Sequence, residues 1–186
     1  AEGLERGAGV CLVTMVHAEG SGPNRPGARL VVTSDGRRFG TVGGGASEHA
    51  LVEAAEQALA TGRKGAWLET FDHREDAREH ASGMICSGTQ RFALACLTPA
   101  DTRAVQRISE ACRMGVPGML LLSEDGLRFV TNDEAANLEP GFDASGWAYC
   151  ERIGIADTVT LVGGGHVALA LSPLLASVGM RVVVLD

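Results

Sequence analysis

The sequence predicts an α/β chain. Three observations carry that prediction. Short apolar runs of strand length recur along the chain, each bounded by glycine, proline or an acidic turn. Two of those runs lead straight into glycine clusters that open helical patterns, at Gly43-Gly44-Gly45 and at Gly163-Gly164-Gly165. A final apolar run, Val182 to Leu185, follows the second helix and completes a strand–helix–strand unit. Residues 1–153 are read as an N-terminal α/β domain. Residues 158–186 are read as the opening β-α-β unit of a Rossmann fold, with Gly154 to Asp157 as a short linker.

The elements follow in order. Val10 to Val16 is apolar throughout except for Thr14, the pattern of a buried strand. Residues 21–28 form a loop stiffened by Pro23 and Pro26, with Arg25 as its single charge. Arg29 to Ser34 and Arg37 to Val42 flank Asp35-Gly36 and read as a hairpin. After the glycines, Leu51, Ala54, Ala55, Ala58 and Leu59 repeat at helical spacing, and Thr61-Gly62 is the stop. Ala66 to Phe71 and Arg91 to Leu97 are strands, separated by the charged run His73 to His80. The flanking charges of both signs argue against His73 and His80 as metal ligands. Asp101 is the expected N-cap of a helix reaching Gly115. Met119 to Leu122 and Leu127 to Val130 form a second hairpin, residues 132–146 an irregular loop, and Trp147 to Ile153 a last strand. In the C-terminal unit, Thr158 to Val162 is a strand, and Pro173 falls inside the helix that follows, where a missing N–H would kink the axis.

Composition excludes several classes of function. The net charge is −7, and no basic stripe interleaved with aromatics is present, which argues against a nucleic-acid partner. The longest apolar run is far short of a membrane span. No signal-peptide pattern opens the chain, and its start without methionine reads as a trimmed or processed end. Hydrophobic residues make up 45% but aromatics only 4%, so the core is built of Ala, Val and Leu. The five cysteines form no C-x-x-C pair and are odd in number, which reads as reduced thiols of a cytoplasmic protein. Cys11, Cys96 and Cys112 are expected in the core.

The candidate chemistry lies in three glycine-bearing segments. The first runs from Gly40 through Gly43, Gly44 and Gly45 to Glu48. A glycine run before a helix lets the backbone turn sharply and leaves the first helical N–H groups pointing outward, a setting that favours an anion. Glu48 in the first turn would repel a phosphate placed beside it. Either the anion sits on the glycines away from Glu48, or Glu48 grips a donor-rich group of the same ligand. A plain tight turn with a helix-stabilising Glu is the alternative. Arg25, on its stiff loop, is a candidate clamp for the anion. The second segment is Met84 to Thr89, where Cys86 precedes a Ser-Gly turn whose backbone N–H groups can lower a thiol pKa. The third segment has the spacing G-x-G-x-x-A from Gly163 to Ala168, with Asp186 at the end of the next strand. This is the pattern of a dinucleotide turn with an acid for a ribose hydroxyl.

Together with Gly22-Pro23 and Pro26-Gly27-Ala28, these three segments resemble the XdhC/CoxI family, accessory proteins of molybdenum hydroxylases such as xanthine dehydrogenase. The family's G-G-x-x-E segment is matched by Gly44, Gly45 and Glu48. Its C-G-G segment is matched by Cys86 and Gly88, with Ser87 in place of the middle glycine. Its G-x-G-H-V-A segment is matched by Gly163, Gly165, His166, Val167 and Ala168. Some members carry a cysteine directly after the glycine run, where this chain has Ala46. The resemblance implies a chaperone that binds molybdenum cofactor, a molybdopterin, supports its sulfuration and hands it to a hydroxylase client. It therefore also implies a sulfur donor as a partner. On this reading Gly43, Gly44, Gly45, Glu48, Cys86, Gly88 and Arg25 meet the cofactor. Cys86 alone would approach the molybdenum, and a nucleotide is the candidate ligand of Gly163, Gly165, His166 and Asp186.

No Ser-His-Asp set or pair of catalytic carboxylates stands out, which favours binding over catalysis. Two other readings remain: a nucleotide-dependent oxidoreductase using the Gly163 turn, and a non-catalytic subunit-interaction module. Two strands alone cannot bury a Rossmann unit. A homodimer or higher oligomer is therefore expected to cover it, unless the rest of the sheet belongs to the same protein.

Overall fold

The computed structural model describes residues 4, 6–20, 25–72, 88–131, 134–135, 138–154 and 158–186. Strand β1 (Val10–Ala18) is followed by β2 (Arg29–Thr33), β3 (Arg38–Gly40), helix α1 (Gly45–Ala60), β4 (Gly65–Asp72) and β5 (Thr89–Leu97). These strands form one antiparallel sheet in the order β3-β2-β1-β5-β4. A short 3-10 turn (Pro99–Asp101) leads into α2 (Thr102–Met114). Strands β6 (Gly118–Ser123), β7 (Gly126–Thr131), β8 (Gly141–Asp143) and β9 (Ala148–Ile153) make a second antiparallel sheet, ordered β7-β6-β9-β8. The chain continues with β10 (Thr158–Val162), α3 (His166–Ser177) and β11 (Arg181–Leu185), and β10 pairs with β11 in parallel. The fold class is mixed α/β, as expected, but both larger sheets are antiparallel.

Strand β1 is the centre of the first sheet, and its continuous apolar run has a physical cause. Successive side chains point to opposite faces, and both faces are covered. Cys11, Val13 and Met15, with Phe92, Leu94 and Cys96 of β5, pack against Leu51, Val52, Ala55 and Ala58 of α1. Leu12 and Val16, with Ala93 and Ala95, pack against Leu120, Leu122, Tyr149 and Ile153 of the second sheet. Val105 and Ile108 of α2 extend that second core. Thr14 is fully buried, and its hydroxyl has no hydrogen-bond partner.

Polar side chains tie β2 to β9. Arg29 Nη2 donates to Glu151 Oε1, and Tyr149 Oη donates to Glu151 Oε2 at 2.5 Å. Arg29 Nη1 also donates to the Gly27 carbonyl at 3.2 Å, which anchors the loop that precedes β2. Burial, then the hydrogen bond to Glu151, pushes the Tyr149 hydroxyl well above its usual pKa.

Four local expectations are corrected. The hairpin strand ends at Gly40, so Thr41 and Val42 belong to the turn. Residues 132–146 are not wholly irregular, because β8 pairs Gly141 with Cys150. Asp101 does occupy the N-cap of α2, but its carboxylate reaches back to the Thr98 N–H (2.7 Å) and hydroxyl (2.8 Å) and does not cap that helix. Cys112 is exposed, whereas Cys11 and Cys96 are buried as expected. Helix α3 contains Pro173 and continues past it to Ser177.

Candidate functional site

Antiparallel pairing gathers several of the sequence-identified residues at one end of the first sheet. Arg29 at the start of β2 pairs with Thr14, midway along β1, and Leu30 pairs with Gly40 at the end of β3. Ala18 at the end of β1 pairs with Gln90 at the start of β5. The loop holding Arg25, the Gly43-Gly44-Gly45 turn and Gly88 therefore share this end. His73, His80 and Cys86 lie outside the described residues.

The glycine turn is dense in hydrogen bonds. Gly43, Gly44 and Gly45 all have positive φ (134°, 72° and 70°), a region that residues with a Cβ rarely enter. A Cβ built on Gly44 would meet open space, so its backbone is accessible from outside. Helix α1 begins at Gly45 with no side-chain cap on its first turn. Glu48 folds back into the turn that precedes its own helix. Its Oε2 accepts hydrogen bonds from the Thr41 hydroxyl (2.5 Å), the Val42 N–H (2.9 Å) and the Gly44 N–H (3.0 Å). Thr41 Oγ1 in turn accepts from the Gly43 N–H at 3.2 Å. Burial alone would raise the Glu48 pKa, but these donors outweigh it and hold the carboxyl below its ordinary value.

The carboxylate of Glu48 is engaged within its own turn, as a tight turn with a helix-stabilising Glu requires. It takes the Val42 and Gly44 N–H groups, so the turn already holds an anion of its own. What it offers outward is a half-buried, ionised acceptor flanked by the exposed Thr41, Gly43 and Gly45. The side chain suits a donor-rich partner.

The neighbouring loops are built around close backbone approach. Gly27 has φ +98°, and a Cβ there would lie 2.9 Å from Glu151 Oε2. Its N–H donates to the Met15 carbonyl at 2.8 Å. Arg25 is exposed, and its carbonyl accepts from the Ala28 N–H at 3.2 Å. At Gly88 a Cβ would overlap the Glu19 carbonyl at 1.9 Å, so glycine is required there by packing. Sequence reasoning missed Arg29 and Glu151, which position this loop. Their only signal was one charge on each of two strands far apart in the chain.

The second glycine turn follows a parallel plan. Gly163 donates its N–H to the Leu185 carbonyl at 2.6 Å, and Gly164 donates to Asp186 Oδ1 at 2.8 Å. Asp186 therefore caps the turn itself and is engaged before any ribose arrives. Gly163, Gly165 and His166 are exposed. They sit on the separate parallel pair of strands and not at the end of the first sheet. Among the described residues, no group of three or more His, Cys, Asp or Glu could hold a metal ion. No described helix is long and apolar enough to cross a membrane.

Residues 4–72, which contain the first glycine turn and Glu48, match the XdhC and CoxI family. The fold is similar to a solved structure described as a xanthine dehydrogenase from Bacillus halodurans, at a TM-score of 0.69 and 19% identity. That match covers 95% of this chain and 57% of the other, so the chain spans little more than half its length. At this identity the likeness is one of fold. No curated protein sequence matches the chain.

Proposed function

We propose, starting from the XdhC/CoxI-family segment at residues 4–72, that this chain acts in the maturation of a molybdenum hydroxylase of the xanthine dehydrogenase type, by holding its molybdopterin cofactor. The observation that carries the proposal is the Glu48 carboxylate, set among exposed turn residues inside that segment.

The residues fit one part of the cofactor at this turn and not another. Glu48 and Thr41 suit the donor-rich edge of a pterin. The N–H groups of Val42 and Gly44 are taken by Glu48, so the terminal phosphate is assigned to Arg25 and not to the glycines. Bound there, the cofactor supplies the dithiolene-held metal that a hydroxylase client needs. Cys86 is proposed as the thiol facing that metal or its sulfur donor. Residues 1–153 form the cofactor-holding unit in this reading, and a second copy of the chain covers residues 158–186. A nucleotide at Gly163, Gly165 and His166 is a second reading, favoured by the parallel strands around an open glycine turn.

The test is to purify the chain from cells that make molybdopterin and measure released pterin by fluorescence after oxidation. Pterin is expected with the wild type. Glu48→Gln is expected to lower it about tenfold, the factor that ~1.4 kcal/mol of lost charged hydrogen bonding represents. Wild-type protein free of pterin, or Glu48→Gln retaining it in full, overturns the assignment. Nucleotide released from the same sample would support the second reading.

A further inference from the structure

We propose that Cys11 and Cys96 form an oxidisable cross-strand dithiol, a modification site that a peroxide converts into a disulfide. The two residues are direct partners in the antiparallel pairing of β1 with β5. Opposed residues in such a pair have Cα atoms about 4.5–5.5 Å apart. That range lies inside the window of about 4.4–6.8 Å that a disulfide needs. Both side chains belong to the core facing α1, so they stand on the same face of the sheet. A bond between the two sulfurs therefore needs no strand to slip.

The pair is also chemically asymmetric. Cys11 is fully buried, while Cys96 keeps 7% of its surface exposed. A hydrogen bond with Cys11, helped by the nearby Arg63 charge, draws the Cys96 pKa down against the effect of burial. The same bond, and then burial, pushes Cys11 up. Arg63 is held beside the pair by stacking on the Trp67 ring at 3.7 Å. Cys96, the more accessible of the two, is assigned as the nucleophile and the fully buried Cys11 as the resolving thiol. The oxidant must be small to reach so narrow an opening, and hydrogen peroxide meets that need.

The steps balance. The Cys96 thiolate attacks one peroxide oxygen, the O–O bond breaks, and Cys96 becomes a sulfenic acid as hydroxide leaves and takes up a proton. The Cys11 sulfur then attacks the Cys96 sulfur. The S–O bond breaks, and the Cys11 proton and the departing hydroxyl leave as water. Two thiols have lost two electrons and peroxide has gained them. The product staples the two strands at the centre of the first sheet.

The test treats the folded, full chain with hydrogen peroxide at a slight excess, then alkylates it after unfolding and maps the peptides by mass spectrometry. The expected result is a Cys11–Cys96 cross-linked peptide, lighter by two hydrogens, with Cys150 alkylated and free of cross-links. Cys11→Ala should give no cross-linked peptide containing Cys96. Recovery of both cysteines as alkylated thiols, a cross-link joining either one to a different cysteine, or a Cys96 cross-link that survives in the Cys11→Ala variant overturns the proposal.

Discussion

The two glycine turns open their helices in the same way, yet the helices are held very differently. Each turn follows a strand, and each has glycine N–H groups occupied by a carboxylate of the chain itself: Glu48 at the first and Asp186 at the second. Helix α1 then buries Leu51, Val52, Ala55 and Ala58 against the first sheet. Helix α3 buries only Ala168, and Leu169 and Leu174 are 70% and 63% exposed. Val162 of β10 is 87% exposed. A glycine turn with an internal carboxylate therefore sets where a helix begins. The burial of an apolar stripe decides how firmly the helix is held.

The largest expected effect tests that contrast directly. Leu51→Ala should cost about 3 kcal/mol, the range for a fully buried leucine. Leu174→Ala should stay within about 0.5 kcal/mol, as exposed positions do. Urea unfolding of both variants checks this. A cost for Leu174→Ala near that of Leu51→Ala would mean that α3 is covered in solution, and sedimentation of the wild type would then report an oligomer.

A smaller effect compares the two carboxylates. Glu48→Gln should cost about 1–2 kcal/mol, since an amide presents one weaker acceptor to the three donors on Oε2. The effect should depend on acidity. The folded-state pKa of Glu48 is lowered from the ordinary 4.5, so the wild type holds this stability above that pH and loses it as pH falls through the folded value. The gap between wild type and Glu48→Gln should therefore narrow in acid. A gap that stays constant with pH would show that the ionised carboxylate does not hold the turn. The smallest effect is expected at the second turn. Asp186→Asn should change stability by no more than about 0.5 kcal/mol, because one exposed hydrogen bond is altered. A larger loss would make the two turns energetically alike.

Much of this was legible in the sequence, because local pattern carries it. The apolar run from Val10 to Val16, the Asp35-Gly36 turn and the helical spacing of Leu51, Ala55 and Ala58 each follow from burial periodicity or turn chemistry. The glycines of the candidate site were legible for the same reason, since three successive positive φ values admit little else. What was not legible depended on partners distant in the chain. Strand β8 is three residues long in a polar stretch and is fixed only by pairing with β9. Cys112 lies on an amphipathic helix of which only Ala111 is fully buried, so one step in register separates core from solvent. The carboxylate of Glu48 turns back toward Val42 and Gly44, a choice of rotamer that residue spacing does not encode. Arg29 and Glu151 meet across two sheets, and neither position announces the other.

The place of β5 in the first sheet has a consequence for the order in which the chain can fold. It lies between β1 and β4, so β4 has no neighbour in the sheet until Thr89–Leu97 has been made. The segment that carries the family match ends at residue 72, before that strand begins. A nascent chain stopped there would have β1 open along one edge, with Val13 and Met15 lacking the Leu94 and Phe92 opposite them in the finished sheet. Such an edge invites pairing with other chains. The matched stretch is thus unable to complete its own sheet, and a truncation at residue 72 should aggregate where one that retains β5 through Leu97 does so less.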